Sequence, residues 1–156
     1  MDSSTTLIRI RLYHSEEKNI IFRDIPQHLL IHSDNVFIGR GINCQLKFRD
    51  VSMSRCHACL EPYLEKGNPS LKFSFKNLSL KRKIRVNGVS LQYLQQIPLS
   101  AINRITFCGI QMEMNVEPGI SLEKFQCHTS VSESPLFHVA EAEEADEVGM
   151  MCELEL

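Results

Sequence analysis

The 156-residue chain is 43% apolar and 23% charged, with six cysteines and no tryptophan, which fits one domain large enough to bury a core. No apolar run approaches the roughly 20 residues of a membrane helix, and the opening MDSSTTLIRIRLYH lacks the basic start and apolar centre of a signal peptide. A cytosolic or nuclear setting with reduced thiols is therefore expected. The net charge of −2 hides an asymmetry: all 17 Lys and Arg lie at or before Lys124, while residues 128–156 hold eight acids and no Lys or Arg.

Ile8, Ile10 and Leu12 alternate with Arg9 and Arg11, the pattern of a half-buried strand. A turn follows at residues 15–19, then short apolar strand candidates at Ile20–Phe22 and, beyond Pro26, Leu29–Ile31. Val36–Ile38 is a β-rich run ending where the chain must bend, at Gly39. Leu46 and Phe48 alternate with Lys47 and Arg49, and Cys56–Tyr63 reads as another strand. Residues 65–70 form a Gly, Asn and Pro turn cluster.

Leu71, Phe73 and Phe75 then alternate with Lys72, Ser74 and Lys76. Asn87-Gly88 between Val86 and Val89 predicts a hairpin, because a type I′ turn needs positive φ at both central residues. Ile105 and Phe107 keep the two-residue period, as do Met112, Met114 and Val116. Only Ser121–Gln126 offers a helix start. Many short strands and almost no helix predict an all-β chain, an antiparallel β-sandwich. From His128 the period is lost and acids gather, which predicts a body over residues 1–127 and an acidic, disordered tail over 128–156. The apolar patch Pro135–Val139 is a candidate to dock on the body or on a partner.

Three weaker patterns are set aside. Cys56 and Cys59 form a CxxC, but no second ligand pair at zinc spacing accompanies it, and on a strand the two face opposite sides. Cys56 and His57 are strand neighbours that point apart, a poor nucleophile–base pair, and Ser121-x-x-Lys124 lacks the companion motifs of an acyl enzyme. The Lys81-Arg82-Lys83 run is too small, and lacks an adjacent aromatic platform, for nucleic acid. No cofactor is expected, and no enzyme.

One constellation remains: Gly39-Arg40, Ser54-Arg55-x-His57, Asn87-Gly88 and Phe107-x-Gly109, in that order. A phosphate dianion needs a charged fork and a short hydroxyl on rigid loops. Arg40 is the fork, Ser54 the hydroxyl, and His57 bridges loops through its ring nitrogens. The series resembles the forkhead-associated (FHA) domain, a module that binds phosphothreonine peptides. The resemblance implies a sandwich of about eleven strands with its ligand loops at one end. It further implies Arg40, Ser54, Arg82 and Lys83 as phosphopeptide contacts, and Gly39, Arg55, His57, Asn87, Gly88 and Gly109 as structural positions. The family's usual loop asparagine is replaced at about Arg82.

Residues 60–67, 93–112 and 119–127 further resemble the TIFA-like adaptors, small TRAF-interacting FHA proteins, and most closely their B-type branch. That implies a cytoplasmic subunit that heterodimerises with a TIFA-like adaptor, acting indirectly on TRAF6 and restraining NF-κB signalling in innate immunity. The A-type adaptors carry an activating threonine in an acidic segment before the first strand, and a Pro-x-Glu hook in the tail. Here Met1–Thr6 holds one acid, and Pro135 is followed by Leu136-Phe137. The alternative is an independent phosphothreonine reader. Tyr93 and Leu94, in a charge-free stretch over Leu91–Ile102, are the dimer-interface candidates, expected to lie apart from the ligand loops.

Overall fold

The computed structural model describes residues 5–139. Twelve strands and one helical turn follow in the order β1 (Thr6–His14), α1 (Lys18–Ile21), β2 (His28–His32), β3 (Val36–Gly39), β4 (Leu46–Lys47), β5 (Ala58–Tyr63) and β6 (Lys72–Asn77). The remainder are β7 (Ile84–Val86), β8 (Val89–Leu91), β9 (Gln96–Pro98), β10 (Ile102–Phe107), β11 (Ile110–Glu117) and β12 (Lys124–Val131). Seven form one sheet in the order β2-β12-β1-β11-β10-β7-β8, and five form the other in the order β4-β3-β5-β6-β9.

Alternation in the sequence becomes the sandwich interior. In β1, Ile8, Ile10 and Leu12 are buried while Arg9 and Arg11 are exposed; in β6, Phe73 and Phe75 are buried between half-buried Lys72, Ser74 and Lys76. Phe73 of the smaller sheet meets Phe125 of the larger edge-on at 4.9 Å, so the two inner faces share one core. Among the described residues no helix is long and apolar enough to cross a membrane.

The sheets are mixed, not purely antiparallel: β12 pairs with β1 and β4 with β3 in parallel. β11 runs opposite to β1, and the reversal through Pro118-Gly119 turns the chain back into the β1 direction, so β12 lies parallel beside it. A two-residue period shows that a segment is a strand, not which neighbour it takes.

Two local expectations are corrected. Ile20–Phe22 is not a strand: the Ile20 and Ile21 amides both donate to the Glu17 carbonyl, and helix α1 carries Ile21 and then Phe22 into the core. Ser121–Gln126 does not start a helix: the Ser121 hydroxyl accepts from the Glu123 and Lys124 amides, a capping turn that opens a strand. β12 carries the larger sheet to Val131, four residues past Cys127. Residues 132–137 then return over that sheet. The Gln111 Oε1 accepts from the Leu136 and Phe137 amides, its Nε2 donates to the Phe137 carbonyl, and the Arg104 guanidinium lies 5.6 Å over the Phe137 ring.

Candidate functional site

The loops after β3, β4 and β6, with the β8–β9 and β10–β11 turns, meet at one end of the sandwich. Gly39 is dictated by steric contact: a Cβ there would collide with the Arg55 carbonyl. That closeness stitches two loops together. The Arg40 amide donates to the Ser54 carbonyl at 3.2 Å, and the Gly41 amide to the Arg55 carbonyl at 2.9 Å. The Arg40 Nε donates to the Met53 carbonyl at 2.6 Å, which orients an otherwise exposed guanidinium along the second loop.

Ser54 reaches the third loop. Its hydroxyl lies 2.9 Å from that of Ser79, and the Arg82 amide donates to the Ser79 Oγ. Behind them sits Asn77, wholly buried, whose every polar group has a partner. Its Oδ1 accepts from the Ser79 amide, and its Nδ2 donates to the Arg82 and Leu91 carbonyls. Its backbone amide donates to the Gln95 carbonyl, and its carbonyl accepts from the Leu94 amide. One asparagine therefore shapes both the Lys81–Lys83 loop and the β8–β9 turn.

His57 is also wholly buried. Its Nδ1 accepts from the Ser54 amide at 3.0 Å, so its proton resides on Nε2, which lies 3.9 Å from the Cys108 sulfur. Its ring stacks on Phe107 at 5.2 Å. Burial first, and the Arg82 charge second, lower its pKa to about 4, so it is neutral at physiological pH. It joins the Ser54 loop to the Cys108 turn from beneath the surface.

Arg40, Ser54, His57 and Arg82 thus converge, with Lys81 exposed and Lys83 half-buried on the same loop. A guanidinium, two hydroxyls and a second cation are the donor types that an anion site requires. Asn87-Gly88 lies elsewhere, at the far end of β7. Its φ values of 52° and 82° form the expected hairpin turn, and Asn87 exchanges bonds with the Arg104 backbone. Cys108-Gly109 forms a second such turn with φ of 51° and 74°, at the His57 end.

Tyr93 and Leu94 are 46% and 50% exposed. They do not lie apart from the ligand loops: the Leu94 bond to Asn77 hangs this turn from the site itself. Ile42, Val51 and Leu80, at 88%, 96% and 63% exposure, stand on the three site loops. Ser79 and Asn77 escaped the sequence reading. Their signal was the Asn-x-Ser spacing at the end of an alternating run, an Asx turn in prospect. Cys56 is exposed and Cys59 buried, and among the described residues no three His, Cys, Asp or Glu side chains are grouped to hold a metal.

Residues 36–108, which hold these stitched loops, match the FHA domain model, and that is the class of protein to which the sandwich belongs. The FHA-BRCT1-BRCT2 domains of S. pombe Nbs1 share the fold at a TM-score of 0.51 and 15% identity, over 71% of this chain and 37% of that one. The human "TRAF-interacting protein with FHA domain-containing protein B" is 45% identical over 94% of this chain and 91% of its own length. The mouse protein A is 28% identical over 86% and 76%. The chain belongs to the family of TRAF-interacting proteins with an FHA domain.

Proposed function

We propose that this chain is a non-enzymatic cytoplasmic regulator that pairs with an A-type, TIFA-like adaptor and lowers TRAF6-dependent NF-κB signalling. The observation that carries this reading is the hold on residues 132–137. Pro135, the single proline beyond Cys127, leads into a segment hydrogen-bonded to Gln111 and covered by the Arg104 guanidinium of its own sheet. A segment engaged in this way is a poor hook for an effector. A subunit that pairs without recruiting subtracts from the active adaptor pool. The exposed Tyr93-Leu94 turn is the pairing surface in this account.

A second reading has its own support. The convergence of Arg40, Ser54, Ser79 and Arg82 favours an independent reader of phosphothreonine peptides. One experiment separates the two. Tyr93→Asp with Leu94→Asp is expected to abolish co-precipitation with the adaptor and relieve inhibition of an NF-κB reporter, and Arg40→Ala to do neither. Because the turn hangs from Asn77, phosphopeptide affinity is measured for both variants. Relief by Arg40→Ala alone would overturn the pairing account in favour of the reader.

A further inference from the structure

Two thiols sit under the Arg40 and Ser54 loops. Cys44 lies four residues past Arg40, its amide bonded to the Gly41 carbonyl and its sulfur donating to the Arg55 carbonyl at 3.1 Å. Arg55 is the residue joined to Cys56. The Cys44 sulfur is therefore one peptide unit from the Cys56 α-carbon. A disulfide needs β-carbons about 4 Å apart on facing backbones. Here the Gly41–Arg55 bond at 2.9 Å holds the loop of Cys44 against the loop of Cys56. Cys56 is exposed to solvent, and Cys44 is half-buried.

We propose that Cys44 and Cys56 are a reversible redox pair whose disulfide staples the Arg40 loop to the Ser54 loop. The oxidant class is a hydroperoxide. The Cys56 thiolate attacks the O–O bond of hydrogen peroxide, forming a sulfenic acid and releasing water once a proton is taken up. The Cys44 thiolate then attacks the sulfenic sulfur; the S–S bond forms, the S–O bond breaks, and the hydroxyl leaves as a second water. Two thiols lose two electrons and two protons, and one peroxide becomes two waters.

The order of attack follows from the surroundings. Burial, the largest cause, raises the pKa of both thiols, and their mutual influence raises Cys44 further while easing Cys56. Cys56, exposed to solvent, therefore meets the oxidant first, while half-buried Cys44 resolves it. Cys59 and Cys127 are buried away from solvent and oxidant, and burial pushes both thiols up to about 12. The pair stands whether or not the overlying loops bind phosphopeptide.

The test uses the purified full-length chain, reduced and then exposed to a small excess of hydrogen peroxide. Remaining thiols are alkylated, and the protein is digested without reductant for mass spectrometry. The expected result is a linked Cys44–Cys56 pair lighter by two hydrogens, lost on adding dithiothreitol, with a Tm several degrees above the reduced form because a loop is closed. In Cys44→Ala, a sulfenic acid at Cys56 should be trapped by dimedone; in Cys56→Ala, Cys44 should remain alkylatable. The proposal is overturned if wild-type Cys44 stays free while Cys56 ends as a sulfinic acid, stays reduced, or links to another cysteine, Cys152 included.

Discussion

His57 holds two loops together only while it is neutral, because its Nδ1 must accept the Ser54 amide. Its folded pKa of about 4 lies below the ordinary 6.5, so in the acid range the unfolded chain binds the proton first. The stabilisation is complete above about pH 6.5 and is lost as pH falls toward 4. The full effect is about 3 kcal/mol, from a shift of roughly 2.5 units. Denaturant unfolding at pH 7 and pH 4.5 should show that loss, and His57→Gln should flatten the dependence while costing about 1–3 kcal/mol at pH 7. Arg40 offers the complementary case. Its guanidinium is exposed, so Arg40→Ala should leave the fold cooperative and weaken a phosphothreonine peptide about tenfold to a hundredfold, read by titration. Both residues stood out in the sequence because their type announces their chemistry. Asn77 and Ser79 left only the faint Asn-x-Ser signal, because Leu91, the Gln92–Gln95 turn and the Ser54 hydroxyl reach them only once the chain has folded.

The β8–β9 turn sets a leucine where leucine is costly. Leu94 has φ of 67° and is half exposed, so it carries left-handed strain and gains little from burial. Leu94→Asn should raise stability by about 0.5–1 kcal/mol, since asparagine tolerates that conformation. If the turn is a pairing surface, the same change should weaken adaptor binding; chemical denaturation and co-precipitation read the two effects. A turn of this kind is hidden in the sequence, because Gln92-Tyr93-Leu94-Gln95 contains none of the residues that announce one. Asn87-Gly88 was plain for the opposite reason. Ile20–Phe22 and Ser121–Gln126 were misread because three apolar residues suit a strand or a helical turn equally, and a serine hydroxyl caps the start of either.

The sandwich itself was legible, since alternation in Leu7–His14, Leu71–Asn77 and Ile110–Val116 maps directly onto buried and outward positions. The neighbour relations were not, and they decide where the folded body ends. β12 is inserted between β1 and β2, and His128 to Val131 pair with Arg9 to Leu12. A chain stopped at Cys127 should therefore lose about 2–6 kcal/mol, from four ladder positions at roughly 0.5–1.5 each. One stopped at Val139 should retain the full-length Tm; thermal unfolding followed by circular dichroism compares them. The position of β1 also has a consequence for how the protein is made. The strand is synthesised well before its partners, so Leu7 must wait for Glu117 and Thr6 for Phe125. At about 5–20 residues per second, Ile8, Ile10 and Leu12 remain without partners for roughly 5–20 s on the ribosome. During that interval the nascent chain displays an unpaired apolar strand, a natural client for a holdase chaperone.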